Sequence, residues 1–131
     1  MKTIVLAEDD TDDQDMVREI VQLAHSDVDL RVFPDGESLL ASMKDLPKNQ
    51  RPNLIVLDQN MPKLKGSETI WRLKEIEGFE HIPVVIYTTY HDSKFADTCK
   101  RMNVELFQKP DTFGAFEKML SNLMERYVNS H

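Results

Sequence analysis

Leu54-Ile55-Val56-Leu57-Asp58-Gln59-Asn60-Met61-Pro62 joins four consecutive apolar residues directly to a carboxylate. An apolar run without polar breaks at helical spacing reads as a strand buried on both faces, the kind found inside parallel sheets. Asp58 then stands where that strand surfaces, carried by a rigid element. In an open parallel sheet, ligands bind in the crevice beyond the carboxyl ends of the strands. A lone Asp after a strand is ordinarily just the first residue of a loop. It gains weight as a site residue when other strands end on complementary chemistry.

Working outward from this strand, the chain alternates between two periods. Residues 3–7 read as a first buried strand, followed at once by Glu8-Asp9-Asp10. Thr11 is expected as the N-cap of the next helix, with Gln14 completing a capping box. Asp12 and Asp13 suit the positive end of that helix dipole. Met16, Val17, Ile20, Val21 and Ala24 share one helical face. Residues 29–33 form a short second strand, and Pro34-Asp35-Gly36 ends it and opens a helix carrying Leu39, Leu40 and Met43. The stretch 46–52 is a loop within one domain. Beyond Asp58, Ser67 is expected to cap a helix with Ile70, Leu73 and Ile76 as its apolar stripe, Trp71 beside it and Gly78 at its end. Residues 83–87 form a fourth strand that ends on Thr88-Thr89. A polar helix with Phe95, Cys99 and Met102 follows, and Asn103 is its left-handed stop. Residues 104–107 form a fifth strand ending at Gln108-Lys109-Pro110. Asp111 or Thr112 caps a last helix whose apolar face is Phe113, Phe116, Leu120, Leu123, Met124 and Tyr127.

Five alternations of strand and helix predict an α/β fold with helices on both faces of a parallel sheet. Right-handed crossovers and this element count favour a flavodoxin-like doubly wound five-stranded sheet, order 2-1-3-4-5, with five helices. A length of 131 residues suits one domain over residues 1–131, with enough chain to bury a core. Hydrophobic content of 40% and charged content of 30% are ordinary for a globular chain. No apolar run approaches membrane-spanning length, and the N-terminal run is too short for a signal peptide. A single cysteine, Cys99, excludes an internal disulfide and a multi-cysteine zinc site. Together these points give an expected cytoplasmic location with no membrane partner. The net charge of −7 argues against direct nucleic-acid binding, which needs a basic footprint.

Four strands end on chemistry: Glu8, Asp9 and Asp10 after the first, Asp58 after the third, Thr88 after the fourth, Lys109 after the fifth. Each has an ordinary reading by itself, as helix decoration, a loop start, a strand-end hydroxyl or a solvated rim charge. Jointly they are far less accidental, because the fold would gather all of them in one crevice. Clustered carboxylates repel one another and need a cationic partner. A hard divalent cation such as Mg²⁺ takes oxygen ligands, and the Lys109 ammonium is a compact point charge. A carboxylate flanked by Mg²⁺ and an ammonium is what phosphoryl transfer to an aspartate requires. The Thr88 hydroxyl could then donate a hydrogen bond to a phosphoryl oxygen.

These residues carry a resemblance to the receiver domains of bacterial two-component response regulators, over nearly the whole chain. The family's acidic pair after the first strand matches Glu8 and Asp9, its phosphoacceptor matches Asp58, its strand-end Thr or Ser matches Thr88, and its Lys-Pro matches Lys109-Pro110. Asp35-Gly36 and Gly66 match further landmarks. The resemblance implies that a sensor histidine kinase or histidine phosphotransfer protein donates a phosphoryl group to Asp58. It implies Mg²⁺ as cofactor, held by Asp9 directly, Glu8 directly or through water, Asp58, and the backbone carbonyl of Asn60. It further implies Thr88 and Lys109 as the residues that sense and neutralise the phosphoryl group. The expected activity is that of a phosphoacceptor assisting its own phosphorylation and dephosphorylation, not of an enzyme. Departures from the family pattern are Lys65 before Gly66, Thr89 after Thr88, and Leu106 where an aromatic switch residue is usual, with Phe107 next to it.

No DNA-binding output domain is expected after the last helix, so output would run through contact with a downstream protein, with a homodimer left open. Family position also places Tyr90 at the mouth of the site, where it is expected to shield a phosphoryl group from water. Three other readings compete. A haloacid-dehalogenase-like phosphatase would want a second Asp at position 60, which is Asn. A receiver-like interaction module that is never phosphorylated would not need the intact acidic and lysine positions. A flavodoxin-type cofactor binder would need a phosphate-cradling loop where this chain has three acids.

Overall fold

The computed structural model describes residues 2–89 and 92–128. Five strands, β1 (Lys2–Ala7), β2 (Val28–Phe33), β3 (Leu54–Asp58), β4 (Val84–Thr88) and β5 (Glu105–Gln108), pair in the order β2-β1-β3-β4-β5. All four pairings are parallel. The helices are α1 (Thr11–Ala24), α2 (Gly36–Lys44), α3 (Gly66–Lys74), α4 (Ser93–Arg101) and α5 (Phe113–Tyr127), with short 3₁₀ turns at Lys48–Gln50 and Phe79–His81. The expected flavodoxin-like, doubly wound order is therefore observed. No helix among the described residues is long and apolar enough to cross a membrane.

Side chains alternate across a strand, so each central strand feeds two cores. Ile4, Leu6, Leu54, Val56, Val85 and Tyr87 pack with Val17 and Ile20 of α1 and with Phe116, Leu120 and Leu123 of α5. Val5, Ala7, Ile55, Leu57 and Ile86 pack with residues of α2, α3 and α4, including Leu39, Met43, Ile70, Leu73 and Cys99. Every residue of β3 is buried, as a strand covered on both faces must be. Trp71 points the other way and is 62% exposed.

Helix ends differ from the sequence expectation at three places. Asp10, not Thr11, caps α1: its Oδ1 accepts from the backbone N–H groups of Asp12 at 2.8 Å and Asp13 at 3.1 Å. Gln14 completes no capping box, and its Nε2 donates instead to the Glu8 carbonyl at 2.6 Å. Lys65, not Ser67, stands at the cap of α3, because Glu68 reaches back to the Lys65 N–H at 3.0 Å and Gln59 Oε1 takes the Ser67 N–H at 2.8 Å. The third helix stops at Lys74, and Gly78, with φ of 91°, lies in the turn that opens Phe79–His81. Asn103 takes the expected left-handed conformation with φ of 57°, and Thr112 caps α5 through the Ala115 N–H at 3.1 Å.

Gly66 is required by a close approach. A Cβ there would stand 2.7 Å from the Asp58 carbonyl oxygen and 2.7 Å from Ile86 Cδ1. Gly66→Ala should thus force the loop away from Asp58 and cost about 1–3 kcal/mol of stability, as overpacking does. Leu57→Ala, which empties a wholly buried position, should cost about 2–5 kcal/mol. Urea unfolding midpoints check both, and an unchanged midpoint in either variant would contradict the packing described.

Candidate functional site

The same alternation that sorts the cores also aims the polar residues. Counting along β1 and β3 from Leu6 and Val56, the next residues on the α1/α5 face are Glu8 and Asp58. Tyr87 of β4 and Phe107 of β5 belong to that face and are paired with each other. Lys109 comes two residues after Phe107, and its backbone N–H donates to the Thr88 carbonyl at 2.7 Å, extending the ladder beyond β5. Glu8 is held likewise, its N–H donating to the Phe33 carbonyl at 3.0 Å. The carboxylates of β1 and β3 and the ammonium after β5 thus converge over the carboxyl end of the sheet.

Lys109 is the hub. Its Nζ lies 2.7 Å from Asp13 Oδ2, 2.9 Å from Glu8 Oε1 and 3.4 Å from Asp58 Oδ2. It also sits 5.3 Å from the centre of the Tyr87 ring. Burial alone would lower its pKa. Its hydrogen bonds to Asp13 and Glu8, with the charges of Glu8 and Asp58, more than reverse that and hold it above the ordinary lysine value. Glu8 is fully buried. Loss of water raises its pKa, and hydrogen bonds from Tyr87 and Lys109 pull it back only in part. Asp9 is raised as well, first by loss of water at the cleft and then by the neighbouring charge of Glu8.

The third strand continues into a loop that folds back on the site. Asn60 donates its backbone N–H to Asp58 Oδ1 at 3.1 Å and its side-chain Nδ2 to Thr88 Oγ1 at 3.1 Å. Met61 and Leu64 are buried and pin the loop to the core. Gln59 closes it, its Nε2 donating to Ser67 Oγ at 3.2 Å. Thr88 is fully buried at the end of β4. Leu106 pairs with Ile86 and packs in the α2/α3/α4 core, whereas Phe107 lies on the opposite face. Counting on from Ile86, Thr88 shares the face of Leu106. A one-residue shift that would let Phe107 replace Leu106 as a partner for Thr88 is excluded by that register.

Glu8, Asp9 and Asp58 each offer a carboxylate oxygen, and these atoms lie within 4.8 Å of one another. Three hard oxygen donors, two of them on carboxylates whose charged forms are disfavoured chiefly by loss of water, fit a divalent cation, which would stabilise those charged forms. Asp58, Thr88 and Lys109 are brought together as the sequence predicts, and Asn60 joins them by its side chain and N–H. Tyr90 lies outside the described residues. Two participants were not read from the sequence. Asp13 reads as dipole decoration, yet one turn along α1 its carboxylate reaches Lys109. Tyr87 reads as strand core, yet its hydroxyl donates to Glu8 Oε1 at 2.5 Å. A tyrosine in a strand buried on both faces needs a partner for its hydroxyl, and that was the available signal.

A family model for the response regulator receiver domain matches residues 4–120. Response regulator Rcp1 of Synechocystis sp. is 35% identical over 94 residues, a match covering 70% of this chain and 64% of Rcp1. The chain spans still smaller shares of some longer relatives. Among solved structures, the phosphorylated cyanobacterial phytochrome response regulator RcpA superposes with a TM-score of 0.88 at 22% identity, over 99% of this chain and 96% of that one. The Mn²⁺-bound form of Rcp1 gives 0.82 at 29% identity, over 95% and 93%. The match over residues 4–120, on a fold whose acidic crevice stands where the strands end, means that this chain belongs to the response regulator receiver domain family of two-component signalling.

Proposed function

We propose that residues 1–131 act as one receiver unit in which Asp58 accepts a phosphoryl group from a phosphohistidine on a sensor kinase or phosphotransfer protein. The observation that carries this is the placement of the Asp58 carboxylate at the end of a buried strand, 3.4 Å from the Lys109 ammonium and inside the three-carboxylate cluster. An Asp58 oxygen attacks phosphorus as the phosphorus–nitrogen bond of the donor breaks and the imidazole leaves with that electron pair. Asp9 and Asp58 would hold Mg²⁺, with the Asn60 carbonyl adding an oxygen and Glu8 contributing from behind. The all-oxygen donor set supports Mg²⁺, as does the similarity to Rcp1, whose structure was solved with Mn²⁺. When bound, the ion supplies positive charge to the incoming phosphoryl oxygens.

This chain's own residues do the rest. Lys109 neutralises one phosphoryl oxygen and Thr88 donates its hydroxyl to another. Asn60 keeps Thr88 and the Asp58 carboxylate in register through its two hydrogen bonds. Because the chemistry is positioning and charge stabilisation on the protein's own side chain, the unit assists its own phosphorylation and dephosphorylation instead of turning over a free substrate. Output then passes by protein contact.

Asp58→Asn should take up no phosphoryl group from a small phosphodonor in the presence of Mg²⁺, since an amide is a poor nucleophile without charge for the ion. Intact-mass measurement decides this, and labelling of the variant equal to that of the parent would remove Asp58 from the role. Asp9→Ala should weaken Mg²⁺ binding by about tenfold or more, the effect of losing a carboxylate ligand. Calorimetric titration without phosphodonor is the check, and parent-like affinity would place the ion elsewhere.

A further inference from the structure

We propose that Tyr87 is a positioning residue that sets the cation affinity of this cleft, by holding the Glu8 carboxylate against Lys109 and away from the ion. The inference rests on the cation reading given above and goes beyond it by naming the residue that tunes the site.

Both Glu8 oxygens are already engaged. Oε1 accepts from the Tyr87 hydroxyl at 2.5 Å and from Lys109 Nζ at 2.9 Å, and Oε2 accepts from the Asp10 backbone N–H at 3.0 Å. The carboxylate is wholly buried from bulk solvent. Oε1 thus has both its lone pairs taken, so an ion that took it would have to displace Tyr87 or Lys109, whereas Oε2 has the single donor Asp10. Tyr87 cannot follow a moving carboxylate. Its side chain is 1% exposed, its ring meets Phe116 edge-on at 5.8 Å, and Lys109 covers it. Its hydroxyl stays a proton donor, because burial and the charge of Glu8 push its pKa far above the tyrosine range. Asp9 is differently placed: it is exposed at the cleft, where an ion can reach it.

Tyr87→Phe keeps the ring and its contact with Phe116 and deletes one oxygen. Two effects follow, both of one sign. The ion loses a competitor for Glu8 Oε1. A buried acceptor is left short of a donor, and a bound cation repairs that. The hydroxyl thus weakens cation binding in the parent protein, and its removal strengthens it.

The test is a calorimetric titration with Mn²⁺, without phosphodonor, of the parent, Tyr87→Phe, Glu8→Gln, the double variant and Asp9→Asn. Tyr87→Phe should bind Mn²⁺ roughly three- to tenfold tighter, the net size of one ordinary hydrogen bond. The gain should vanish in the Glu8→Gln background, because it acts through Glu8. Glu8→Gln in the parent should also lose less affinity than Asp9→Asn, a comparison that stands even if Tyr87→Phe fails to fold. Equal or weaker binding by a folded Tyr87→Phe, a gain that persists without Glu8, or a loss in Glu8→Gln as large as in Asp9→Asn would overturn the proposal. A parent that binds no Mn²⁺ would instead defeat the cation reading on which it rests, and the proposal with it.

Discussion

Four carboxylates, on Glu8, Asp9, Asp13 and Asp58, crowd one end of the sheet, and the Lys109 ammonium sits among them within reach of three. Their mutual repulsion is the constraint that the rest of the site answers. Buried like charges are tolerated only where a counter-charge and hydrogen bonds offset the loss of water. Here the ammonium is held at the end of an edge strand by a backbone bond to Thr88, so its reach into the cluster is fixed by the sheet and not by side-chain chance. Loss of water still raises the pKa of Glu8 and Asp9, so their charged forms remain disfavoured. A further cation at the three clustered carboxylate oxygens would stabilise them.

Around that cluster the fold divides its labour by face. Period-two alternation places Glu8, Asp58 and Tyr87 on the side of α1 and α5, where Asp13 can lean in from the first turns of α1. Thr88 and Leu106 lie on the other side, toward α4, with Leu106 packed into that core. Asn60 spans the two, with its N–H on Asp58 and its side chain on Thr88. A change of charge at Asp58 is therefore linked by two hydrogen bonds to the face that carries Leu106. Leucine at that position offers shape and apolar area but no hydroxyl or ring edge, so any coupling across it is by packing.

Local capping shows how context overrides pattern. Thr11 and Gln14 form a plausible capping box on paper, but Asp10 is one residue nearer the strand and its carboxylate reaches two backbone N–H groups at once. Gln14 is then free to tie down the Glu8 carbonyl, which fixes the backbone from which the buried Glu8 carboxylate projects. At α3 the cap position falls to Lys65, whose own side chain cannot accept. Glu68 and Gln59 supply the acceptors, and Gly66 lets the helix start against the Asp58 carbonyl. The helix that follows the loop after β3 is thereby tied to the strand that carries Asp58.

The burial of residues 54–58 and the strand-end placement of Glu8, Asp9, Asp58, Thr88 and Lys109 were legible in the sequence, because hydrophobic period and strand-end position are properties of neighbouring residues, whereas the strand order was only favoured by crossover handedness and element count and is decided by the pairing of the sheet. An unbroken apolar run followed by a carboxylate says where the chain is buried and where it surfaces, whatever its tertiary neighbours. The roles of Asp13 and Tyr87 were decided only by the tertiary structure. Each depends on a distance across elements far apart in the chain: Asp13 to Lys109 spans α1 to the loop after β5, and Tyr87 to Glu8 spans β4 to β1. The identity of a residue fixes which hydrogen bonds it can make, but which partner stands opposite is set by sheet register and helix rotation, and those belong to the packed fold.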